Sequence, residues 1–161
     1  MRNIFFLLIG ASFLMVSCQD NLSYSEFRSI DNEKWYANTI LEFEIAEIDT
    51  VKSHNVFITI RNDQTFEFSN LFLITEFEKP NGKTTRDTLE YLMAKPNGEW
   101  LGTGHGSIKE NKLWYKENID FKDSGVYRIR VSHAMRKNGE RNGIKMLQGI
   151  TDVGVQVEKI Q

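Results

Sequence analysis

The stretch that decides the fold is Asn70–Glu78, which reads NLFLITEFE. Successive side chains of a β-strand point to opposite faces, so alternation of apolar and other residues is typical of a half-buried strand. One face of this stretch carries Leu71, Leu73, Thr75 and Phe77. The opposite face ends in two acidic residues, Glu76 and Glu78. The pattern therefore predicts a strand with one buried face and one face in water.

The residues that follow this strand predict a chain reversal. Lys79–Lys83 contains Pro80 and the dipeptide Asn81-Gly82, and Asn-Gly adopts positive φ at little cost. We expect the chain to return as a second strand over 84–93. Alternation with a period of two also occurs in residues 41–46, 56–61, 126–131 and 152–160.

No comparably long helical pattern is present, so the chain is predicted to be all-β. Short strands separated by turns favour an antiparallel β-sandwich of about 7–9 strands, immunoglobulin-like or jelly-roll-like. Residues 109–118 allow a short helix. Residues 134–146 are too polar, and too interrupted by glycine, for an assignment.

A tyrosine near the start of one predicted strand supports the sandwich. Asp123–Tyr127 reads DSGVY and resembles the Asp-x-Gly-x-Tyr corner of immunoglobulin-like domains, in which a buried tyrosine ties a loop to a strand. We therefore expect Tyr127 to be buried, with its hydroxyl on a nearby backbone group. Antibody domains carry a cysteine two residues later, where this chain has Ile129, so that core position is predicted to be apolar.

The amino-terminal residues resemble the signal of a bacterial lipoprotein. Arg2 precedes the uncharged run Ile4–Val16, which fits the roughly 7–15 residues of a signal core and is shorter than the ~20 of a spanning helix. Met15–Cys18 reads MVSC and matches a lipobox. The resemblance implies that Cys18 becomes the first residue and carries fatty acyl chains such as palmitate. The alternative is a secreted protein whose cysteine has no such role.

The chain is accordingly divided into three parts. Residues 1–17 are the predicted signal peptide, 18–32 the lipidated amino terminus with a tether that packs partly on the domain, and 33–161 the sandwich domain. Two or three acyl chains make departure from a membrane very slow, whereas one chain holds only marginally. The anchor is therefore the predicted contact with the membrane.

Composition excludes several classes of function. The 161 residues include 20 Lys+Arg and 22 Asp+Glu, giving a net charge of −2 at pH 7, so no general basic excess is available for nucleic acid. The single cysteine, Cys18, excludes an internal disulfide and a multi-cysteine metal site. The histidines His54, His105 and His133 are too far apart for a ligand pair on one element. We expect no metal and no cofactor.

No pattern indicates catalysis, and the chain is predicted not to be an enzyme. Gly102–Gly106 has the wrong spacing for a dinucleotide loop. It predicts instead a place where another backbone, or a bulky ring such as that of Trp100 or Trp114, approaches a strand closely. Acidic pairs such as Glu42 and Glu44 share one face of a strand whose other face is apolar. Such pairs are interpreted as the solvated side of the sheet, not as a glycosidase site.

Two groups of side chains are candidates for binding. An aromatic group would form a sugar-stacking platform, although tryptophan and tyrosine lie more often in or beside the core. Its members are Trp35, Tyr36, Trp100, Trp114 and Tyr115. A basic cluster consists of Arg136, Lys137, Arg141 and Lys145. On a weakly acidic chain this cluster is a candidate contact for an acidic partner or a lipid headgroup, or else a solvated loop.

Several short motifs together resemble one family. They include the lipobox cysteine and the segments Asn70–Phe72 (NLF), Asn97–Gly102 (NGEWLG), Lys112–Tyr115 (KLWY), Gly125–Tyr127 (GVY), Ala134–Arg136 (AMR) and Leu147–Val155 (LQGITDVGV). In this combination the chain is similar to the GldH-type gliding-motility lipoproteins of gliding Gram-negative bacteria. Residues 137–145 depart from the family pattern by being longer and more basic.

The resemblance implies a non-enzymatic envelope lipoprotein that is required for gliding and is associated with the type IX secretion machinery. Its implied partners are other gliding and secretion proteins of the envelope. No catalytic or ligand residue of the family carries over except the acylated Cys18. Gln19, not Asp, follows the cysteine, which favours delivery to the outer membrane. A carbohydrate-binding surface lipoprotein that uses the tryptophans is the rival interpretation.

Overall fold

The structure is a computed structural model in which residues 21–160 are described. The predicted signal peptide and Cys18 lie outside the described residues. The described chain contains one short 3₁₀ turn, Asp31–Glu33, and ten strands. These are β1 (Leu22–Ser29), β2 (Lys34–Tyr36), β3 (Leu41–Ile45), β4 (Ser53–Asn62), β5 (Asn70–Glu78), β6 (Thr84–Leu92), β7 (Lys109–Asp120), β8 (Tyr127–His133), β9 (Met146–Gln148) and β10 (Ile150–Lys159).

The strands form two four-stranded sheets and one two-stranded sheet. The first sheet has the order β1-β10-β4-β7, the second β3-β8-β5-β6, and the small sheet pairs β2 with β9. Every pairing is antiparallel. The prediction of an all-β antiparallel sandwich is therefore confirmed.

The core lies between the two large sheets. Period-two patterning places one face of each central strand inside, where burial of a Val, Leu or Ile side chain contributes about 1.5–3 kcal/mol. The fully buried side chains include Val56, Ile58 and Ile60 of β4, Val153, Val155 and Val157 of β10, Leu71 and Leu73 of β5, and Ile129 and Val131 of β8. One continuous apolar cluster thus joins both large sheets.

The tyrosine corner is present as predicted. Tyr127 is 1% exposed, and its hydroxyl accepts a hydrogen bond from the Asp123 backbone N–H at 2.9 Å. The Tyr127 ring meets the Phe121 ring edge-on, with centroids 4.8 Å apart. Ile129 is fully buried, as expected for an apolar substitute for the antibody cysteine. The corner fixes the loop that leads from the first sheet into the second.

Residues 109–118 do not form a helix, so that expectation is wrong. They belong to β7, which pairs with β4 from Asn62↔Lys109 to Ser53↔Asp120. The segment is rich in Lys and Glu, which favour a helix in isolation and also occur on edge strands. Its backbone partner, β4, is distant in sequence, and this long-range pairing decides the conformation.

Residues 22–29, inside the segment 18–32, form strand β1 on the edge of the first sheet. β1 pairs with β10 over most of its length, and Phe27 lies opposite Gly154. A Cβ atom on Gly154 would lie 2.7 Å from the Phe27 ring, so the glycine provides the space that the ring occupies. This packing joins the amino-terminal segment to the sandwich from residue 22 onward.

Antiparallel pairing sorts the connections to two opposite ends of the sandwich. His54↔Lys159 and Ser53↔Asp120 in the first sheet, with Ile45↔Tyr127 in the second, mark the end at which the described chain begins. We call this the proximal end. Its connections are residues 46–52, 79–83 and 121–126. β4 has ten residues, so at about 3.4 Å per residue the opposite, distal end lies about 30 Å away.

The distal end is closed by the small sheet. The Asp63 backbone N–H donates to the Gly149 carbonyl at 2.9 Å, which joins the end of β4 to the turn between β9 and β10. Gly149 has φ +87°, and a Cβ atom there would collide with the Phe66 backbone, so the turn requires glycine. The distal connections are residues 30–33, 37–40, 63–69, 93–108 and 134–145.

Two histidines are buried in this framework. His133 accepts a hydrogen bond from the Met135 N–H on Nδ1 (3.4 Å), so its Nε2 carries the proton and donates to the Trp35 carbonyl (3.1 Å). His54 is fully buried against the Phe121 ring, and neither of its ring nitrogens makes a well-formed hydrogen bond with the described residues. Burial lowers the pKa of both imidazoles, so both are neutral at pH 7.

We expect Tyr127→Phe to lower the free energy of unfolding by about 1 kcal/mol, because it removes one buried hydrogen bond and leaves the Asp123 N–H unpaired. Urea unfolding of the variant and the wild type measures the difference. Tyr36→Phe is the matched control, since that tyrosine is 51% exposed. Equal losses in both variants would contradict the corner as a stabilising contact.

We expect the free energy of unfolding to fall as the pH drops from about 7 towards 5. The pKa values of His54 and His133 are depressed in the folded protein, whereas unfolded histidines titrate near about 6.5. The unfolded state therefore binds more protons in this window, and acid favours it. Chemical unfolding at several pH values measures the slope.

His54→Leu removes one of the two buried imidazoles with a lowered pKa and should therefore flatten this slope. The exposed His105 provides the control, as His105→Ala should keep the wild-type slope. A free energy of unfolding that stays constant or increases as the pH is lowered from 7 to 5 would show that the buried imidazoles do not control acid sensitivity.

Candidate docking surfaces

The three histidines lie apart in the structure. His54 and His133 lie in the core, and His105 is exposed on the connection 93–108. Within residues 21–160, no group of three or more His, Cys, Asp and Glu side chains is arranged to hold a metal ion. The predicted binding residues lie on the sheets and on their connections.

The outer face of the second sheet is a ladder of ion pairs. Arg130 contacts Glu42 of β3 at 2.5 Å and Glu78 of β5 at 2.7 Å. Arg128 contacts Glu44 at 2.9 Å and Glu78 at 3.5 Å. The hydrogen bond from Arg130 lowers the pKa of Glu78, which keeps this carboxylate ionised. The acidic pairs are thus bound to arginines in a solvated face, as their alternation predicts.

Glycines 102 and 104 are closely approached by other parts of the chain. A Cβ atom on Gly104 would lie 2.7 Å from the Ile108 backbone carbonyl, so the expected approach of another backbone is present there. A Cβ atom on Gly102 would lie 2.8 Å from the Asn111 side chain. Neither Trp100 nor Trp114 is among the nearest groups, because the chain folds back through the bridge Thr103↔Glu110.

The candidate aromatic platform is not assembled. Trp35 is fully buried, and Trp100 is partly buried against Phe66 with ring centroids 6.1 Å apart. Tyr36 and Trp114 are 51% and 52% exposed, but they lie in the small sheet and in β7. Tyr115 is half-buried beside Asp87. The five aromatic side chains therefore belong to separate places, mainly in or beside the core.

The outer face of the first sheet is covered by its own cations. The Lys112 Nζ lies 4.2 Å from the centre of the Phe57 ring, and the Trp114 ring lies 4.4 Å from the same ring. On the other side, the Arg61 guanidinium lies 4.1 Å from the Phe27 ring. Phe57 is consequently only 5% exposed although it points away from the core. Trp114 remains the open part of this face.

The predicted basic cluster lies on one connection at the distal end. Residues 136–145 form a loop closed by the bridge Arg136↔Gly143, and we call them the basic loop. Its candidate side chains are Arg136, Lys137, Arg141 and Lys145, all of them exposed. Within residues 21–160 none of these four takes part in an ion pair, so their charges are available to a partner. The loop contains one acidic residue, Glu140.

A groove of about 550 Å³ borders the basic loop. Its lining includes Phe68 from the connection 63–69, Ile144 from the basic loop, Met146 from β9, and Lys137 at the point where loop and groove meet. The groove therefore places apolar side chains next to a free cation. Sequence patterns give no signal for it, because three separate segments contribute the lining.

The site of the predicted anchor can be placed only by its distance along the chain. Cys18 lies outside the described residues, three positions before Asn21, and three extended residues reach at most about 11 Å. The Lys159 backbone N–H donates to the Asn21 carbonyl at 2.7 Å, so Asn21 belongs to the proximal end. Among residues 21–160 there is no helix that is long and apolar enough to cross a bilayer.

Comparison with known proteins finds one family. The family model described as GldH lipoprotein matches residues 22–157. A protein of Christiangramia forsetii named gliding motility lipoprotein GldH homolog is 50% identical over 161 residues, 99% of this chain and 98% of its own length. Gliding motility lipoprotein GldH of Flavobacterium johnsoniae is 39% identical over 153 residues, 95% of this chain and 94% of its own length.

Among solved structures, the chain is similar to the VP2 subviral particle of infectious bursal disease virus. The similarity covers 84% of this chain and 30% of the VP2 chain. The TM-score is 0.36, and the sequence identity is 14%.

Proposed function

The chain belongs to the GldH lipoprotein family, and we propose that it is a membrane-anchored envelope lipoprotein required for gliding motility. Its proposed role is that of a non-enzymatic adaptor, which docks other proteins of the gliding and type IX secretion machinery. Membership of a lipoprotein family supports the membrane anchor. The names of the two relatives support the role in gliding.

The proposed anchor is a set of acyl chains on Cys18. The lipobox Met15–Cys18 supports it, and so does the match to relatives that are named lipoproteins. We assign the protein to the outer membrane because Gln19 follows the cysteine. With two or three acyl chains the protein stays on one membrane plane, and confinement raises its effective concentration towards partners on that plane.

The observation that carries the adaptor role is the basic loop with its adjoining groove. Four exposed cations that form no ion pair among residues 21–160 lie on the basic loop, and one of them, Lys137, also lines the groove. The whole chain has a net charge of −2. A mixed surface of this kind fits a protein partner that offers carboxylates around an apolar segment. The position of the loop, at the end opposite to Asn21, favours an acidic protein over a lipid headgroup as its ligand.

We expect Arg136→Glu with Arg141→Glu to reduce surface gliding of a deletion strain that expresses the variant. Charge reversal puts like charges against an acidic partner, which weakens docking by at least about tenfold. Colony spreading and single-cell gliding speed measure the effect. Arg86→Glu with Lys95→Glu is the matched control, because it reverses two exposed cations outside the basic loop.

Wild-type gliding by the basic-loop variant would reject docking through this surface. The anchor is tested separately with Cys18→Ser, which should lose palmitate labelling and fail to restore gliding. Full complementation by Cys18→Ser would reject the anchor, and normal gliding and secretion by the deletion strain would reject the function itself.

A further inference from the structure

The proximal end combines a short link to the anchor with free cations and an exposed apolar tip. We propose that this end lies against the membrane, with Lys52, Lys79 and Lys83 contacting the phosphates of phospholipid headgroups and Val51 entering the headgroup layer. The inference rests on the proposed acylation of Cys18, and it adds an orientation and a lipid-binding surface to that proposal.

The link between the domain and the proposed anchor is short. Two residues lie between Cys18 and Asn21, and the three residue-to-residue steps span at most about 11 Å when extended. Asn21 is already bonded to the end of β10 through the Lys159 N–H, and the next residue starts β1. A polar headgroup layer is itself several ångströms thick. The proximal end is therefore held within contact distance of the lipid surface.

The three connections of the proximal end lie side by side. The Ile160 N–H donates to the Ser53 carbonyl at 2.9 Å, which places connection 46–52 beside the end of β10. Connection 121–126 meets the turn 79–83, because a Cβ atom on Gly125 would lie 2.9 Å from the Pro80 ring. All three connections thus border the same end of the sandwich, next to the point where the anchor joins.

Two carboxylates at this end are paired with cations. Asp49 contacts Lys159 at 3.4 Å, and Asp120 contacts Lys122 at 3.0 Å, so both carboxylates are already neutralised by neighbours. The pKa of each is lowered, Asp49 mainly by a hydrogen bond from the Val51 backbone and Asp120 mainly by one from Ser53.

Lys52, Lys79 and Lys83, by contrast, form no ion pair among residues 21–160. Glu47, Asp123 and Asp20 in the link offset their charge, so this end carries no net positive excess. The three lysines are proposed as individual contacts to headgroup phosphates, while the affinity for the membrane comes from the acyl chains.

Val51 provides the apolar contact. Its exposed fraction is 91%, the highest among the exposed large hydrophobic side chains of the described chain. The Val51 N–H donates to the Asp49 Oδ1 at 3.0 Å, a side-chain turn that presents the valine at the tip of connection 46–52. A single exposed valine is ordinary on a protein surface. At the end tied to a lipid anchor, it lies where an apolar side chain leaves water for the headgroup layer.

In this orientation the basic loop lies at the end of the protein that faces away from the membrane. With the proximal end on the lipid, the basic loop stands about 30 Å from the membrane surface, at the far end of β4. The protein then acts as a spacer that presents its cations to partners above the membrane plane. A domain lying on its side would instead bring the outer face of one large sheet, with Trp114 or Thr88, against the lipid.

The test uses the full lipidated protein, reconstituted in vesicles of phosphatidylethanolamine and phosphatidylglycerol that contain a nitroxide-labelled lipid. Single thiols are introduced by Val51→Cys at the proximal end, Asn138→Cys in the basic loop, and Ser25→Cys and Thr88→Cys on the sides, and each carries an environment-sensitive fluorophore. We expect the Val51 label to be quenched at least about twofold more than the other three. Stronger quenching of the Asn138, Ser25 or Thr88 label would overturn the orientation.

A charge variant tests the role of the lysines. Lys52→Glu with Lys79→Glu and Lys83→Glu should reduce quenching of the Val51 label, whereas Arg86→Glu with Lys95→Glu should leave it unchanged. Unchanged quenching in the triple variant would show that these lysines do not contact the headgroups. Circular dichroism confirms that both variants are folded.

Two controls separate this inference from the proposed anchor. Mass spectrometry measures the lipid on Cys18, and flotation measures vesicle binding. Protein without lipid mass, or protein that does not float with vesicles, would overturn the anchor and the orientation together. Lipidated, vesicle-bound protein with an unquenched Val51 label would overturn the orientation alone.

Discussion

The position of β10 between β1 and β4 is the constraint on which the rest of the structure depends. Its valines fill the core from one side, while its two edges hold the amino-terminal strand and the central strand of the first sheet in antiparallel register. That register places Asn21 beside Lys159 at one end and the turn at Gly149 at the other. β10 therefore determines which end of the first sheet lies near the predicted anchor and which end lies far from it.

This separation of ends gives the two groups of cations different roles. The outer faces of both large sheets are occupied by their own ion pairs and by cations over aromatic rings, as in Arg130 with Glu78 and Lys112 with Phe57. Among residues 21–160, the cations without an ion pair lie at the ends: three lysines at the proximal end, and Lys34, Lys109 and the basic loop at the distal end. Unpaired cations at both ends support the proposed role of connecting a membrane with a partner protein.

Sequence patterns predicted those parts of the fold that depend on neighbouring residues. The strand Asn70–Glu78 and the corner at Tyr127 were correct, since alternation and the DSGVY motif are local signals. β7 was mistaken for a possible helix because its conformation depends on pairing with β4, which lies about fifty residues earlier in the chain. The basic cluster was visible as composition, but its distance from the anchor and its adjoining groove depend on topology that no single segment encodes.

Photo-crosslinking from the basic loop in intact envelopes is the decisive experiment for the adaptor role, with a photoreactive residue at Asn138 and identification of the products by mass spectrometry. A matched residue at Thr88, on the outer face of the second sheet, serves as reference. We expect Asn138 to crosslink to a defined envelope protein with an acidic, partly apolar surface, and Thr88 not to do so. Crosslinks from Asn138 to phospholipid alone, or to no molecule, would reject docking of a protein at this end.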